Sequence, residues 1–348
     1  MIEKRPIWKR LLRQICRIGR GDYLISNNRN VWLDGIMGVA TGDALGLPVQ
    51  FRRREELVDN PVVDMTRDHI YLAPAGTWSD DTSMTMAMLG SMINREKVDP
   101  QDIMNQFVAW LYNAEYCALD EPIDMGETCY DSIKRYYESH NILTCGKKGE
   151  FANGNGSLMR TLPICVYYAK QVNAGKETVD VAIRNIHTVS ALTHNHKRAC
   201  IACGLYFFCV KSILFDEGNL NKKLQKGIYD GFTYYERDMK LLEEATCYSR
   251  TLDIEEFAKT NVDQIESSGY VVDSFEAAIW SLVTTDSLKD CLLKAVNLGD
   301  DADTVGAIAG GLAGLYYGYE SIPEDWLNKL AKREWLEEMC QKAYKNFK

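Results

Sequence analysis

Two short clusters of acidic and hydroxyl residues, each at the junction of a loop and a predicted helix, carry the strongest chemical signal. They are Ser79-Asp80-Asp81-Thr82 and Asp300-Asp301-Ala302-Asp303-Thr304. N-capping explains one such side chain per junction, because carboxylates and hydroxyls accept hydrogen bonds from free backbone N–H groups. Five aspartates exceed that need, and adjacent carboxylates repel one another unless a cation intervenes. Since their oxygens are hard ligands, the pattern predicts a binuclear Mg²⁺ site shared by the clusters, with Mn²⁺ as the other candidate ion.

The elements that must position these clusters are predicted to be helices. From Val31 onward the apolar residues recur with helical periodicity, and alternating strand-like runs are short and few. The clearest segments are Ser83–Asn94, Gln101–Tyr112, Asp273–Thr284 and Trp326–Tyr344. We therefore expect an all-α fold, a single domain of many helices.

Glycines recur at every fourth position beside both clusters. One row is Gly38, Gly42 and Gly46, and the other is Gly306, Gly310, Gly314 and Gly318. Residues four apart form one ridge of a helix surface. A ridge without side chains allows another backbone or a ligand to approach closely, and tight helix packing is the simplest interpretation.

Composition limits the class of protein. The net charge of −9 over 348 residues argues against general nucleic-acid binding. The longest apolar runs, near 199–210 and 307–317, are too short to span a bilayer, so no transmembrane segment is expected. Eleven scattered cysteines without an export signal indicate reduced thiols in a cytoplasmic protein.

Residues 1–30 carry eight basic against two acidic side chains and are predicted to be a basic N-terminal extension, either a packed arm or an amphipathic helix. A catalytic domain is predicted at 31–348.

Four motifs in order give the sequence a family resemblance. They are Gly42-Asp43-Ala44-Leu45-Gly46-Leu47-Pro48, Gly76-Thr77-Trp78-Ser79-Asp80-Asp81-Thr82, Gly154-Asn155-Gly156-Ser157-Leu158-Met159-Arg160 and the segment 297–305. Together they resemble the ADP-ribosylglycohydrolase family, which includes the dinitrogenase reductase-activating glycohydrolases. The resemblance implies an orthogonal helical bundle and hydrolysis of the glycosidic bond between ADP-ribose and an acceptor, such as an arginine side chain, at two divalent cations.

The resemblance also implies roles for individual residues. The implied metal ligands are Ser79, Asp80, Asp81, Asp301, Asp303 and Thr304. The implied catalytic residues are Asp124, within the similar motif Ile123-Asp124-Met125-Gly126-Glu127-Thr128, and the ligands Asp81 and Asp303. The implied substrate-binding residues are Gln50, Asn153, Asn155, Gly156, Ser157, His194 and Tyr270. Asp300, where the family usually has Gly, is expected to face solvent or to support the site indirectly.

Several alternatives stay open at this point. Gln50 stands where the family commonly has Glu, and an amide cannot act as a general base. A non-catalytic ADP-ribose-binding protein on the same scaffold is therefore the main alternative, and a purely structural protein is a third. Arg160 is expected to contact a phosphate or to form a structural salt bridge. His194 with Cys200 and Cys203 has a spacing compatible with zinc, although buried thiols in an apolar helix usually pack as small hydrophobic groups. We expect a monomer.

Overall fold

The computed structural model describes residues 29–348, and every regular element in this part of the chain is helical. The helices are α1 Val31–Gly46, α2 Arg54–Asp59, α3 Asp80–Arg95, α4 Pro100–Asn113, α5 Glu127–Ser139, α6 Leu162–Asn173, α7 Val179–Ala191, α8 Lys197–Phe215, α9 Leu220–Tyr235, α10 Met239–Ala245, α11 Ile254–Phe257, α12 Val271–Val283, α13 Leu288–Val296, α14 Ala302–Tyr317, α15 Glu324–Lys329 and α16 Arg333–Asn346. Short 3₁₀ turns lie at Leu47–Val49, Glu150–Ala152, Thr246–Leu252, Val262–Gln264 and Tyr319–Ser321. The prediction of an all-α fold is confirmed. The predicted N-terminal extension lies outside the described residues except for its last two positions.

A single hydrophobic core joins these helices. One contiguous cluster of buried apolar side chains runs from Trp32 in α1 to Phe347 after α16. The chain is therefore organised as one domain over the described residues, with the sites of both acidic clusters at helix ends within it.

The two glycine rows pack against each other where α1 crosses α14. A Cβ built on Gly38 would lie 2.1 Å from the carbonyl oxygen of Gly310, and one on Gly42 would lie 2.0 Å from that of Gly306. At the end of α1, a Cβ on Gly46 would lie 2.3 Å from Cα of Asp303. The row thus allows the backbone of α1 to touch the start of α14, which carries the second acidic cluster.

Replacement of Gly42 by alanine is expected to destabilise the protein by about 3 kcal/mol, at the upper end for overpacking, because the added methyl group meets fixed backbone. Chemical denaturation of the two proteins measures this difference. Gly126→Ala is the matched control, since a Cβ at Gly126 meets nothing within 4 Å. We expect it to cost no more than about 1 kcal/mol, the cost of an altered N-cap. Equal losses for the two variants would contradict the packing explanation.

The predicted helix over Trp326–Tyr344 is wrong, because the structure has two helices there. α15 ends at Lys329, and Lys332 has a left-handed backbone with φ 52°. The linking residue Ala331 donates its N–H to the carbonyl of Gly76 at 2.9 Å and accepts from the indole of Trp78 at 2.9 Å. These bonds tie the interruption to the segment that leads into the first acidic cluster.

The apolar run near 199–210 belongs to a longer helix than its composition suggested. α8 spans 19 residues and is apolar and long enough to cross a membrane by those criteria alone. However, 78% of that window is buried inside the protein. α8 therefore has the burial of a core helix.

Candidate active site

Asp43 organises the first acidic cluster from the last turn of α1. Its Oδ1 accepts a hydrogen bond from the backbone N–H of Ser79 at 2.9 Å. Its Oδ2 accepts from the backbone N–H of Thr82 at 3.0 Å and from the Thr82 hydroxyl at 2.6 Å. Ser79 also caps α3 by accepting from the N–H of Asp81 at 3.3 Å. Because Asp43 and Ser79 supply the caps, the carboxylates of Asp80 and Asp81 are not needed for capping.

Three buried carboxylates form the centre of the site. Asp43, Asp81 and Asp303 each offer an oxygen, and these oxygens lie within 4.8 Å of one another. Oδ1 of Asp81 and Oδ2 of Asp303 are buried and have no hydrogen-bond partner among residues 29–348. Unpartnered buried carboxylate oxygens are costly, and a hard divalent cation satisfies them. The residues therefore fit such an ion, and among residues 29–348 no other group of His, Cys, Asp or Glu is arranged in this way.

Burial is the main cause of raised pKa values in this cluster, and repulsion between carboxylates adds to it. The pKa of Asp43 is raised to about 6, although the donors from Thr82 and Ser79 oppose the effect. The pKa values of Asp80, Asp81 and Asp303 are all raised well above the ordinary value. The carboxyl groups therefore resist ionising together until a positive charge compensates them.

The second acidic cluster meets the first at the start of α14. The hydroxyl of Thr304 donates to Oδ2 of Asp81 at 3.4 Å. Asp301 accepts from the side-chain amide of Asn155 at 2.6 Å, and burial raises its pKa while this amide opposes the rise. Asp300 is exposed, has φ 56° and is bound through its backbone to Arg52. Asp300 therefore lies outside the buried centre, as expected from its sequence position.

Asp124 reaches the same centre from the loop before α5. Its charge raises the pKa values of Asp80 and Asp303, and its side chain contacts Asp303. The hydroxyl of Tyr71 donates to Oδ1 of Asp124 at 2.8 Å. Tyr71 was not predicted, because a single tyrosine in an irregular segment has no spacing that distinguishes it. The structure thus places the proposed catalytic carboxylate beside both clusters.

The loop that carries Asn153, Asn155 and Gly156 lies alongside the segment that ends at Tyr270. Gly154 forms an isolated antiparallel bridge with Tyr270, and the N–H of Asn155 donates to the carbonyl of Gly269 at 3.0 Å. Asn153 is half-buried at the beginning of this loop, and Asn155 is buried. The two segments are thereby fixed next to Asp301.

His194 and Arg160 contact this loop from inside the protein and hold it in place. A Cβ at Gly156 would lie 2.8 Å from Cε1 of His194, so the ring packs directly against the loop. Arg160 is fully buried and donates to the carbonyl of Gly156 and, at 2.7 Å, to the hydroxyl of Thr193. That hydroxyl is 2.9 Å from Nδ1 of His194, whose pKa is lowered to about 3 by burial and nearby positive charge. Among residues 29–348 no carboxylate lies within salt-bridge distance of Arg160, so of the two alternatives the structural salt bridge is not found; the guanidinium holds the loop instead.

Two predicted substrate-binding residues have their polar groups engaged within the protein. The hydroxyl of Ser157 accepts from Ser190 at 2.8 Å and lies 3.7 Å from Sγ of Cys203. The hydroxyl of Tyr270 accepts from Arg198 at 2.9 Å. Ser157 therefore presents its backbone, and not its hydroxyl, to a substrate. The half-buried ring of Tyr270 remains available to contact one.

Gln50 is buried beside the second cluster with its amide unused. It is 2% exposed, and within the described part of the chain neither Oε1 nor Nε2 has a hydrogen-bond partner. The next residue, Phe51, donates its N–H to the carbonyl of Asp300 at 2.6 Å, and Gly46, just before, packs against Asp303. The chain on both sides of Gln50 is thus tied to the cluster, and its amide is a free donor and acceptor there.

The zinc alternative is not supported. Sγ of Cys203 lies beside the hydroxyl of Ser157, and Cys200 contacts the backbone carbonyls of His187 and His194. These residues do not gather ligand atoms around one point, and the ten cysteines within residues 29–348 are all unpaired. The thiols pack as small buried groups.

Without bound metal, the protein is expected to lose stability as pH rises from about 6.5 to about 8. Carboxyls with raised pKa values retain protons in the folded state that the unfolded chain has already released, so rising pH favours unfolding. The buried His187 and His194 have lowered pKa values and act in the opposite direction, an effect that is half lost at about 6.5 and gone by about 7.5, since the unfolded chain has then released those protons too. Thermal unfolding in a chelating agent at the two pH values tests this.

Added Mg²⁺ or Mn²⁺ should raise the melting temperature more at the higher pH, because metal ions and protons compete for the same oxygens. A metal-free melting temperature that rises over this interval would contradict the assignment. So would a metal-induced stabilisation that decreases with pH.

Comparisons with known proteins agree with this geometry. A family model described as ADP-ribosylglycohydrolase matches residues 27–348. An ADP-ribosylarginine hydrolase, Tri1, from Serratia proteamaculans is 28% identical over 89% of this chain and 77% of its own length. The ADP-ribosyl-[dinitrogen reductase] glycohydrolase of Rhodospirillum rubrum is 30% identical over 86% of this chain and 89% of its own. A solved structure of an ADP-ribosylglycohydrolase-related protein complex superposes with a TM-score of 0.72 and 25% identity, covering 92% of this chain and 98% of that one.

Proposed function

This chain belongs to the ADP-ribosylglycohydrolase family, and from that premise we propose that it is a divalent-cation-dependent hydrolase releasing ADP-ribose from an arginine side chain. Hydrolysis of an ADP-ribosyl glycosidic bond follows from the family. The acceptor, the ion and the residue roles are our proposal. Two of the similar proteins, from Serratia proteamaculans and Pseudomonas putida, are ADP-ribosylarginine hydrolases, which supports arginine as the acceptor.

The observation that carries the proposal is the convergence of four chain segments on one group of carboxylates at the buried centre of the site. Asp43 comes from α1, Asp81 from α3, Asp303 from α14, and Asp124 from the loop before α5. A structural role does not require orphaned carboxylate oxygens in a core, because each one lowers stability. Glycosidic cleavage proceeds through an oxocarbenium-like transition state, which nearby negative charge stabilises.

We assign the binding of the ADP-ribose moiety to the loop beside Asp301. Backbone N–H groups of a glycine-containing turn suit a diphosphate, and the loop from Asn153 to Ser157 is such a turn. His194 stays neutral at physiological pH and supports the turn without adding charge. The exposed part of the Tyr270 ring offers a stacking surface. The unused amide of Gln50 offers a donor and an acceptor to a ribose hydroxyl or a water molecule.

We assign proton transfer to Asp124. Hydrolysis forms a bond between a water oxygen and the anomeric carbon of the ribose, breaks the bond to the acceptor nitrogen, and leaves one water proton to be accepted. Oδ1 of Asp124 accepts a hydrogen bond from the hydroxyl of Tyr71. The other carboxylate oxygen of Asp124 is therefore the one that takes the water proton and delivers it to the leaving group. Asp81 and Asp303 position the sugar.

A pair of divalent cations, when bound, would supply Lewis-acid polarisation of the ribose hydroxyls and of water. The proposed ligands are Asp43, Ser79, Asp80, Asp81, Asp301, Asp303 and Thr304. Mg²⁺ is the first candidate and Mn²⁺ the second, since both prefer oxygen ligands.

Release of ADP-ribose from defined conjugates tests the proposal. Metal-free protein is incubated with peptides ADP-ribosylated on arginine or on serine and with an ADP-ribosylated nucleic acid, each in chelating agent, in Mg²⁺ and in Mn²⁺. Chromatography of free ADP-ribose should show release from the arginine peptide that is at least about a hundredfold faster with a cation. The absence of cation-dependent release from every conjugate would overturn the proposal.

A non-catalytic ADP-ribose-binding protein is the second candidate, and the observation that favours it is the amide at Gln50. An amide cannot accept a proton as a general base does. Calorimetry that shows ADP-ribose binding, together with an absence of turnover in the release assay, would favour this candidate. We further propose that the protein acts as a monomer and that it lies in the cytoplasm; the unpaired thiols within residues 29–348 support the second of these assignments.

A further inference from the structure

Tyr71 reaches the site from a part of the chain to which no role has been assigned so far. It lies in the irregular segment between α2, which ends at Asp59, and α3, which begins at Asp80. From there its hydroxyl donates to Oδ1 of Asp124 at 2.8 Å. Loops of this length without regular structure usually serve a function, because an ordered loop has few other means of offsetting its conformational entropy.

A compact turn holds Tyr71 in place. Asp68 is 1% exposed, and its carboxylate accepts the backbone N–H of Tyr71. The N–H of Asp68 donates to the carbonyl of Ala73 at 3.0 Å, which closes the turn. The guanidinium of Arg67 donates to the carbonyl of Leu72 at 3.3 Å. The backbone at Tyr71 is thus held by its own turn, independently of the contact between the tyrosine hydroxyl and Asp124.

Backbone strain occurs next to the tyrosine. Leu72, which follows Tyr71, has φ 56°. A leucine rarely adopts such an angle, and strain of this kind persists only where the surroundings impose it. The turn that carries Tyr71 is therefore held in an unfavourable backbone conformation.

The hydroxyl is also kept as a proton donor. Burial and the charges of Asp124, Asp80 and Asp303 raise the pKa of Tyr71 above its ordinary value. A phenol that does not ionise donates one hydrogen bond to a carboxylate and competes little for its proton. Oδ1 of Asp124 is thereby occupied in a fixed direction.

We propose that Tyr71 is a positioning residue for hydrolysis, which holds Oδ1 of Asp124 so that the other carboxylate oxygen is the one that exchanges the proton. The inference rests on the proposed function, because it takes Asp124 as the group that transfers the proton. It adds a residue from a separate segment, and it predicts that Tyr71 acts only through Asp124.

Replacement of Tyr71 by phenylalanine tests the inference while retaining the ring. Turnover should fall about tenfold, with KM for the ADP-ribosylated arginine peptide unchanged within about twofold. The melting temperature should not change. Tyr229→Phe is the matched control, because Tyr229 is a partly exposed tyrosine in α9 and should leave every parameter unchanged.

A double-mutant cycle with Asp124→Asn separates positioning from a general structural effect. If Tyr71 acts through Asp124, adding Tyr71→Phe to Asp124→Asn lowers the residual rate no further. Independent, multiplicative losses would overturn the inference, and so would an unchanged turnover in Tyr71→Phe. The wild-type release assay decides the proposed function separately. An active wild type with an additive cycle would reject only the role of Tyr71, whereas an inactive wild type would reject the function and the inference together.

Discussion

Replacement of Asp303 by asparagine is expected to stabilise the metal-free protein by about 1–3 kcal/mol and to reduce hydrolysis about a thousandfold. Asp303 is fully buried, and its Oδ2 has no hydrogen-bond partner. Burial and the charges of Asp124, Asp81 and Asp301 raise its pKa well above the ordinary value. The amide of asparagine removes a repelling charge and adds N–H donors among the carboxylates, so the metal-free folded state becomes more stable. The capacity to bind a cation is lost, because the carboxylate ligand is gone.

The same substitution at Asp300 is the matched control, because Asp300 lies three positions earlier and is exposed. Asp300→Asn should alter stability by less than about 0.5 kcal/mol and leave turnover unchanged. Denaturation in chelating agent and the release assay give the two quantities. An Asp303→Asn protein that is less stable than wild type without metal, or that retains a tenth of the turnover, would contradict the assignment of Asp303 to the cation centre.

Local sequence patterns were sufficient to predict the all-α fold and the two acidic clusters, but not the break within Trp326–Tyr344. Their prediction needs only periodicity and composition, which local residues determine. The two glycine rows are an intermediate case. Their spacing indicated close packing, but which surface each row would meet depends on the crossing of α1 and α14. Only the structure shows that Gly42 lies against Gly306 and Gly46 against Asp303.

The residues that were missed depend on contacts across long stretches of the chain. Asp43 lies inside an apolar helix, where the local pattern gives it no role. Its role follows from the hydrogen bonds that it accepts from Ser79 and Thr82, which lie more than thirty residues later in the sequence. The hydroxyl of Tyr71 meets Asp124 across 53 residues, and only the tyrosine's backbone N–H is bonded within its own segment, to Asp68. Ser157 was assigned to the substrate because its motif is intact, yet its hydroxyl is bonded within the core. A motif identifies a backbone path but does not determine where each side chain of that path is directed.

Replacement of Gln50 by glutamate is the second substitution with a large expected effect. A carboxylate added here is buried, and the chain on either side of it contacts the second acidic cluster, Gly46 at Asp303 and Phe51 at Asp300. The metal-free protein should therefore lose about 2 kcal/mol or more of stability at about pH 8, and less at lower pH, where the new group stays protonated. Divalent cations should bind about tenfold more tightly, because the added charge is a further hard ligand.

Gln50→Met separates the loss of the amide from the gain of charge. An unpartnered buried amide costs stability, so the thioether should stabilise the ligand-free protein and weaken ADP-ribose binding if the amide serves the ligand. Thermal unfolding and calorimetry measure the two effects.

Turnover of the wild type and of Gln50→Glu distinguishes the two candidate functions. In the hydrolase the wild type is active and Gln50→Glu changes the rate by less than about tenfold, because proton transfer belongs to Asp124. A wild type that binds ADP-ribose without cleaving it, and that gains turnover only in Gln50→Glu, would identify a binding protein which needs a single carboxylate to become an enzyme.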